Sequence, residues 1–230
     1  MMTILNDLLS LFFPRLCMLC KLPLTKGEEH ICLHCLCHLP YTRFSDNENN
    51  PVSFLFRGKV AINKASALLY YEKGGHVQRL IHSLKYYDNK ELAFYMGRMA
   101  ALYLQKNGLF ESVDVLIPVP LHPDKQRKRG YNQSEWIAKG IHSVLNIPVD
   151  TLSVRRLKKT ETQTNKMIYE RWKNVQDIFS LVQDKEIQGK HVLLIDDVIT
   201  TGSTLGSCAE KLLTISRIKV SILSLAITHS

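Results

Sequence analysis

Residues 192–204 read Val192-Leu-Leu-Ile195-Asp196-Asp197-Val-Ile-Thr200-Thr201-Gly202-Ser203-Thr204. The first four are apolar, too few for a globular helix, and Gly189 and Gly202 flank the stretch; this is the pattern of a strand buried on both faces, as in a parallel sheet. Its end delivers two adjacent carboxylates and then a turn rich in hydroxyls. In open α/β sheets, ligands bind at the carboxyl ends of the strands. Gly202 lets the backbone approach an anion closely, and the amides of residues 200–204, together with the start of a helix expected over 204–213, can donate to a phosphate. Asp196 and Asp197 repel a phosphate, so they suit the far end of a sugar phosphate. There they accept from vicinal hydroxyls directly or through Mg²⁺, a hard cation that prefers carboxylate oxygen. Any one of these residues alone reads as a helix cap; together they imply a phosphorylated ribose.

The same stretch resembles the phosphoribosyl pyrophosphate (PRPP) signature of class I phosphoribosyltransferases. It lacks the Gly-Lys-Ser/Thr of a Walker loop and is no Gly-x-Gly-x-x-Gly dinucleotide turn.

Working outward, residues 65–71, 114–118, 152–156, 177–181 and 219–227 read as strands. Apolar residues at 77, 80, 81 and 84, and at 92, 95, 96 and 99, predict helices over 77–87 and 91–105, with a further helix over 134–145. Alternating strands and helices imply an α/β fold whose parallel sheet is covered by helices on both faces. Residues 117–123, Ile-Pro-Val-Pro-Leu-His-Pro, hold three prolines and are expected to be irregular. Residues 157–173, polar and basic, are expected to form a mobile loop leading into a helix.

The strand ends at 118–123 and 196–204 are expected side by side. One cradles the 5′-phosphate. The other, Pro118 and Val119 with the basic run Lys125, Arg127, Lys128 and Arg129 behind it, is placed to receive pyrophosphate, because guanidinium forks bind phosphate oxygens bidentately. The reaction implied is displacement of pyrophosphate from C1 of PRPP, with Asp196 and Asp197 holding the ribose diol beside the positive charge that develops on the ring. No residue stands out as a general base.

Before this body comes Cys17-Met-Leu-Cys20 and, eleven residues later, Cys32-Leu-His-Cys35. Paired C-x-x-C knuckles present four thiolates at tetrahedral spacing, a closed structural Zn²⁺ site. A segment of this size relies on metal binding, worth about 10 to 16 kcal/mol in comparable fingers. Cys37, His30, His34 and His38 are alternatives for one ligand, and Cys208 reads as core. The expected organisation is a zinc-binding module over 1–44, including an amphipathic helix up to Pro14, a polar linker over 45–64, and a catalytic-type body over 65–230.

Composition narrows the function classes. No apolar run approaches the roughly 20 residues of a membrane span. The first 13 residues hold no Lys or Arg, unlike a secretory signal, so a cytoplasmic protein is expected. The net charge is +9, and residues 121–175 carry 12 Lys/Arg against 5 Asp/Glu, most of that excess. That region is read as facing an anion.

The chain as a whole resembles the ComF/ComFC family. The resemblance rests on the four cysteines, Ser83-Leu-Lys-Tyr86, residues 117–122, Arg127-Lys-Arg-Gly-Tyr-Asn-Gln133, Thr160-Glu-Thr-Gln-Thr164 with Arg171 and Asn174, and the PRPP motif, in that order. Tyr131 stands where Phe is common. The resemblance implies a phosphoribosyltransferase type I-like fold, a zinc-binding N-terminal module and, in competent bacteria, handling of incoming single-stranded DNA with competence-machinery proteins. On that reading Lys85, Tyr131, Arg155, Lys158 and Arg171 are candidates for contacts to nucleic acid or for a role in the flexible loop. Three functions are compatible with the sequence: a phosphoribosyltransferase, a DNA-handling factor that keeps a PRPP site, and a PRPP sensor without turnover.

Overall fold

The computed structural model describes residues 13–44, 49–86, 89–107, 111–157 and 178–228. The helix expected within residues 1–12 and the loop expected over 157–173, with Lys158, Arg171, Asn174 and the run 160–164, lie outside the described residues, save for Leu157 at the loop's start. In chain order the elements are α1 (Leu33–Cys37), α2 (Pro51–Phe56), β1 (Ala65–Tyr71), α3 (His76–Tyr86), α4 (Lys90–Asn107), β2 (Val115–Pro118), α5 (Pro123–Arg129), α6 (Gln133–Leu145), β3 (Val154–Arg156), β4 (Phe179–Leu181), β5 (His191–Ile199), α7 (Ser203–Leu212) and β6 (Lys219–Thr228). Among the described residues no helix is long and apolar enough to cross a membrane.

Four strands form one sheet in the order β1-β6-β5-β2, every neighbouring pair parallel. Residues 192–199 lie in the interior strand β5, and Val192, Leu193, Leu194 and Ile195 are buried. Their side chains alternate between two cores, as strand geometry requires. Leu193 and Ile195 join Leu80 and Leu84 of α3, Met96 of α4 and Ile137 of α6. Val192 and Leu194 join Phe56 of α2 and Leu205, Cys208 and Leu212 of α7. Helices therefore cover both faces, as expected.

Two expectations need correction. The strands expected over 152–156 and 177–181 do form, but as β3 and β4 they pair antiparallel with each other in a separate ribbon. Three-residue strands with intermediate-to-exposed outer positions do not offer the continuous apolar run that an interior place in the sheet requires. The stretch expected as a linker contains α2, capped by Asn50, whose Oδ1 accepts from Val52 N and Ser53 N at 2.9 and 3.1 Å. Val52 and Phe56 of α2 are fully buried. The basic run after the prolines is helical: α5 begins at Pro123, the position where a missing N–H costs nothing.

The cysteine-bearing segment is tied to the body at several points. Cys17, Leu19, Ile31, Cys35 and Leu39 share the core of α3 and α4, and Arg79 donates to the Leu19 carbonyl at 3.1 Å. Residues 40–42 run antiparallel along the outer edge of β1, with Thr42 N donating to Leu68 O at 3.1 Å and Tyr70 N to Pro40 O at 2.8 Å.

Helices α4 and α6 meet through glycines. A Cβ at Gly97 would lie 2.2 Å from the Ile137 carbonyl oxygen, and one at Gly140 would lie 2.1 Å from that of Phe94. This close approach fixes where α6 begins, and α6 begins at the site.

Candidate functional site

The parallel pairing of β2 with β5 brings Pro118 opposite Ile195, and Val119 N continues the ladder to Ile195 O at 2.8 Å. The two strand ends therefore stand side by side. Asn132, immediately before α6, locks them to the helix: its Nδ2 donates to Val119 O at 3.1 Å while its Oδ1 accepts from Ser134 N at 3.2 Å.

Ser134 Oγ then donates to Asp196 Oδ1 at 3.1 Å, and Asp197 N donates to the same oxygen at 2.9 Å. Burial, reinforced by the neighbouring charge of Asp197, pushes the Asp196 carboxyl up to about 7. Asp197 is buried too, and its Oδ2 lies 3.1 Å from Lys85 Nζ at the end of α3. Arg156 of β3 also feels the charge of Asp196; burial lowers its pKa from the usual range.

After β5 the chain turns through Thr200 and Thr201 to Gly202, whose φ of 75° is in the left-handed region. Gly202 is also the N-cap of α7 and offers no side-chain cap, and at the helix start Thr201 Oγ1 accepts a long 3.5 Å bond from Ser203 N. Thr201 Oγ1 and Ser203 Oγ share a hydrogen bond of 2.8 Å across the turn. Phe56 and Leu55 of α2 back the loop: a Cβ at Gly202 would lie 3.1 and 3.2 Å from two Phe56 ring carbons. The result is a helix N-terminus presented beside two carboxylates, which can take an anion and a diol respectively. Two carboxylates are also hard oxygen donors of the kind Mg²⁺ takes.

The structure redistributes the remaining candidates. Arg127 and Lys128 are exposed on α5, Arg127 paired with Asp124 at 2.6 Å. Arg129 donates to Gln133 Oε1 at 3.1 Å and lies 6.0 Å over the exposed ring of Tyr86. Tyr131 is a packing residue, not a stacking platform: it is buried and its hydroxyl donates to Leu84 O at 2.6 Å. Arg155 is exposed on β3. Lys85, grouped in the sequence with nucleic-acid contacts, is brought to Asp197. Sequence reasoning missed Asn132, Ser134, Arg156 and Phe56. The Asn132-Gln-Ser134 cap after a proline-rich strand end was a readable signal; the other two depend on how distant elements pack.

A second cluster lies in the N-terminal segment. The Sγ atoms of Cys17, Cys20, Cys32 and Cys35 are all within 4.8 Å of one another, close enough to hold one metal ion. Backbone amides already donate to two of them, Cys32 N to Cys17 Sγ at 3.3 Å and Cys35 N to Cys32 Sγ at 3.4 Å. Burial works to raise the Cys17 thiol, but the amides of Cys20, Cys32 and Leu19 outweigh it and bring it to about 6; burial drives Cys35 up instead. The alternative ligands stay outside the cluster: Cys37 is exposed, His34 and His38 stack on each other, and His30 meets the edge of Tyr95.

Residues 131–227 match the phosphoribosyl transferase domain family. The DNA utilization protein YhgH of Escherichia coli is 28% identical over 215 residues, 87% of this chain and 91% of that protein. Competence protein F of Haemophilus influenzae is 40% identical over 100 residues, 43% of this chain and 44% of that one. The chain is thus similar to proteins named for DNA utilization and for competence. Among solved structures, UMP synthase of Leishmania donovani overlaps 66% of this chain but 24% of its own, at 18% identity and a TM-score of 0.37, too loose a likeness to argue from. Three of the motifs that carry the resemblance meet residues 192–204 at the site described above. Residues 83–86 end α3 and carry Lys85; residues 117–122 form the strand end of β2; residues 127–133 run from α5 to the Asn132 cap.

Proposed function

We propose that this protein binds PRPP with Mg²⁺ at the β2–β5 strand ends and transfers its phosphoribosyl group to an acceptor nucleophile. The observation that carries this reading is the convergence of the Asp196–Asp197 pair and the Gly202 helix start on one strand end, with a second strand end beside it. In this reading the amides of residues 200–204 and the hydroxyls of Thr201, Ser203 and Thr204 hold the 5′-phosphate. Asp196 and Asp197 accept from the ribose 2- and 3-hydroxyls and stabilise the positive charge that develops at C1 as pyrophosphate leaves. Pro118 and Val119 supply rigid backbone beneath the departing pyrophosphate, with Arg127, Lys128 and Arg129 arrayed behind. The cation, when bound, neutralises pyrophosphate charge. In the N-terminal segment the four thiolates hold a structural Zn²⁺.

The test is calorimetry with Mg-PRPP, followed by measurement of pyrophosphate release. Wild type is expected to bind. The D196N/D197N double variant, which keeps volume and removes charge, is expected to fold and lose binding. Undiminished binding by the folded double variant would sink the site assignment.

A second reading follows from the relatives named for DNA utilization and competence, and from the +9 net charge. In it, single-stranded DNA meets the Lys and Arg side chains of residues 121–175 and stacks on exposed Tyr86. Binding should then weaken with salt, with a log–log slope of about −0.7 per phosphate neutralised. Replacing Arg127, Lys128, Arg155 and Lys158 with Gln should flatten that slope by about two or more. Tight binding that ignores salt and survives the quadruple change would remove this face from the mechanism.

A further inference from the structure

Two adjacent carboxylates at a strand end invite a cation, and here the chain supplies one. Lys85 reaches from the last turn of α3 to Asp197, Nζ to Oδ2 3.1 Å, with 22% of the lysine side chain and 10% of the aspartate side chain exposed. Ser134 meanwhile holds Asp196. Both acids have a protein partner before any ligand arrives. The helix carrying Lys85 is anchored by Val77, Leu80, Ile81 and Leu84, all buried, so α3 itself is fixed. The four-carbon stem of the lysine is the part free to turn.

We propose that Lys85 is a positioning residue that occupies the cation's place at Asp197 in the ligand-free protein, so that the divalent cation enters only together with the polyphosphate of the sugar ligand. This rests on the PRPP reading of the same strand end. A bare Mg²⁺ or Mn²⁺ has to displace an ammonium tethered in contact with its best ligand, and Mg²⁺ gives up its own water reluctantly. A cation that arrives on pyrophosphate brings compensating negative charge, and the released ammonium then has phosphate oxygens to meet as a point charge. Lys85 thereby orders the binding: the acid pair stays closed to free metal and opens to the metal-bearing ligand.

The experiment is electron paramagnetic resonance titration of the full, zinc-loaded chain with Mn²⁺, which reads free against bound metal without any activity. Wild type is expected to bind Mn²⁺ weakly alone and, once the Mn²⁺ held by pyrophosphate in a protein-free titration is subtracted, more tightly when inorganic pyrophosphate is present. Lys85→Gln is expected to gain Mn²⁺ affinity by about tenfold or more without pyrophosphate, within the range of ordinary site-to-site couplings. Lys85→Arg, which keeps the charge, should behave as wild type, and the gain of K85Q should vanish in K85Q/D197N. Should K85Q fail to fold by circular dichroism, Lys85→Met, matched in length, replaces it. Equal Mn²⁺ affinity in wild type and the neutral variants overturns the proposal, as does a gain that survives D197N or tight Mn²⁺ binding by unaltered protein without pyrophosphate. None of these arms contains PRPP, so a failure of the PRPP reading shows in calorimetry and leaves them interpretable.

Discussion

Changing Gly202 to Ala tests whether the turn between β5 and α7 is held in place by the helix behind it. The substitution meets two obstacles. At φ 75° an L-residue puts its Cβ against its own backbone, which costs roughly 1–2 kcal/mol. The added methyl would also lie 3.1 and 3.2 Å from two ring carbons of Phe56, a side chain with no exposed surface to retreat into. Overpacking of a filled core costs typically about 1–3 kcal/mol. The two costs add to about 2–5 kcal/mol, the upper figure if the ring cannot move, and G202A is expected to lose that much in urea unfolding with zinc bound. The two parts separate in a double-mutant cycle with Phe56→Leu, which frees space beside the loop and leaves φ unchanged. In the F56L background the cost of G202A should fall to the backbone share, about 1–2 kcal/mol, leaving a coupling of about 1 kcal/mol or more between the positions. A G202A chain within about 0.5 kcal/mol of wild type, the range of neutral surface changes, would refute the argument. So would a zero coupling to Phe56, because α2 would then not back the loop.

Metal analysis should find one zinc per chain, and Cys20→Ser or Cys32→Ser should release it. Because Leu19, Ile31 and Leu39 share a core with Leu80 and Leu92, metal loss should lower the melting temperature of the whole protein; full zinc occupancy in both variants would mean the ligands are misassigned. Stability should also depend on pH through His191, at the foot of β5. Its Nε2 contacts Ser221 Oγ at 2.8 Å and its Nδ1 contacts Ser112 Oγ at 2.9 Å, and burial holds its pKa below the ordinary 6.5. The unfolded chain then takes up a proton before the folded one, so this contribution is intact above pH 6.5 and is lost as pH falls from there through the folded-state value. Urea midpoints for wild type and His191→Gln across this window should diverge in that sense; a wild type that His191 stabilises on acidification contradicts the reasoning.

The strand and turn of residues 192–204 were legible because their signals are local. Residues 192–195 could be read as a buried strand from four apolar side chains, and residues 200–204 as an anion turn from hydroxyls around one glycine. Both are preferences of the chain within about a dozen residues. The helices α3, α4 and α6 were legible from their apolar period, and the cysteine cluster from its spacing. The misreadings have definite causes as well. Residues 154–156 and 179–181 show strand-like composition, but composition carries no information on which strand is the partner. The linker looked polar because its buried residues, Val52 and Phe56, are few and lie beyond the polar start of the stretch.

From the sequence alone came the identity of the chemistry: two carboxylates, a glycine turn, a basic run and four thiols, each able to act only in a few ways. The tertiary structure decided which of these meet. Lys85 is 112 positions from Asp197 in the chain and 3.1 Å from it in space, and no local propensity encodes that distance. It arises because Leu80 and Leu84 bury against the same sheet face as Ile195, which orients the polar end of α3 toward the strand end. Ser134 reaches Asp196 for a related reason: Gly97 and Gly140 let α4 and α6 approach until backbone touches backbone, and that contact sets where α6 starts. Local chemistry is written in residue types and spacing, whereas the pairing of distant groups is set by the packing of surfaces that none of those residues shares.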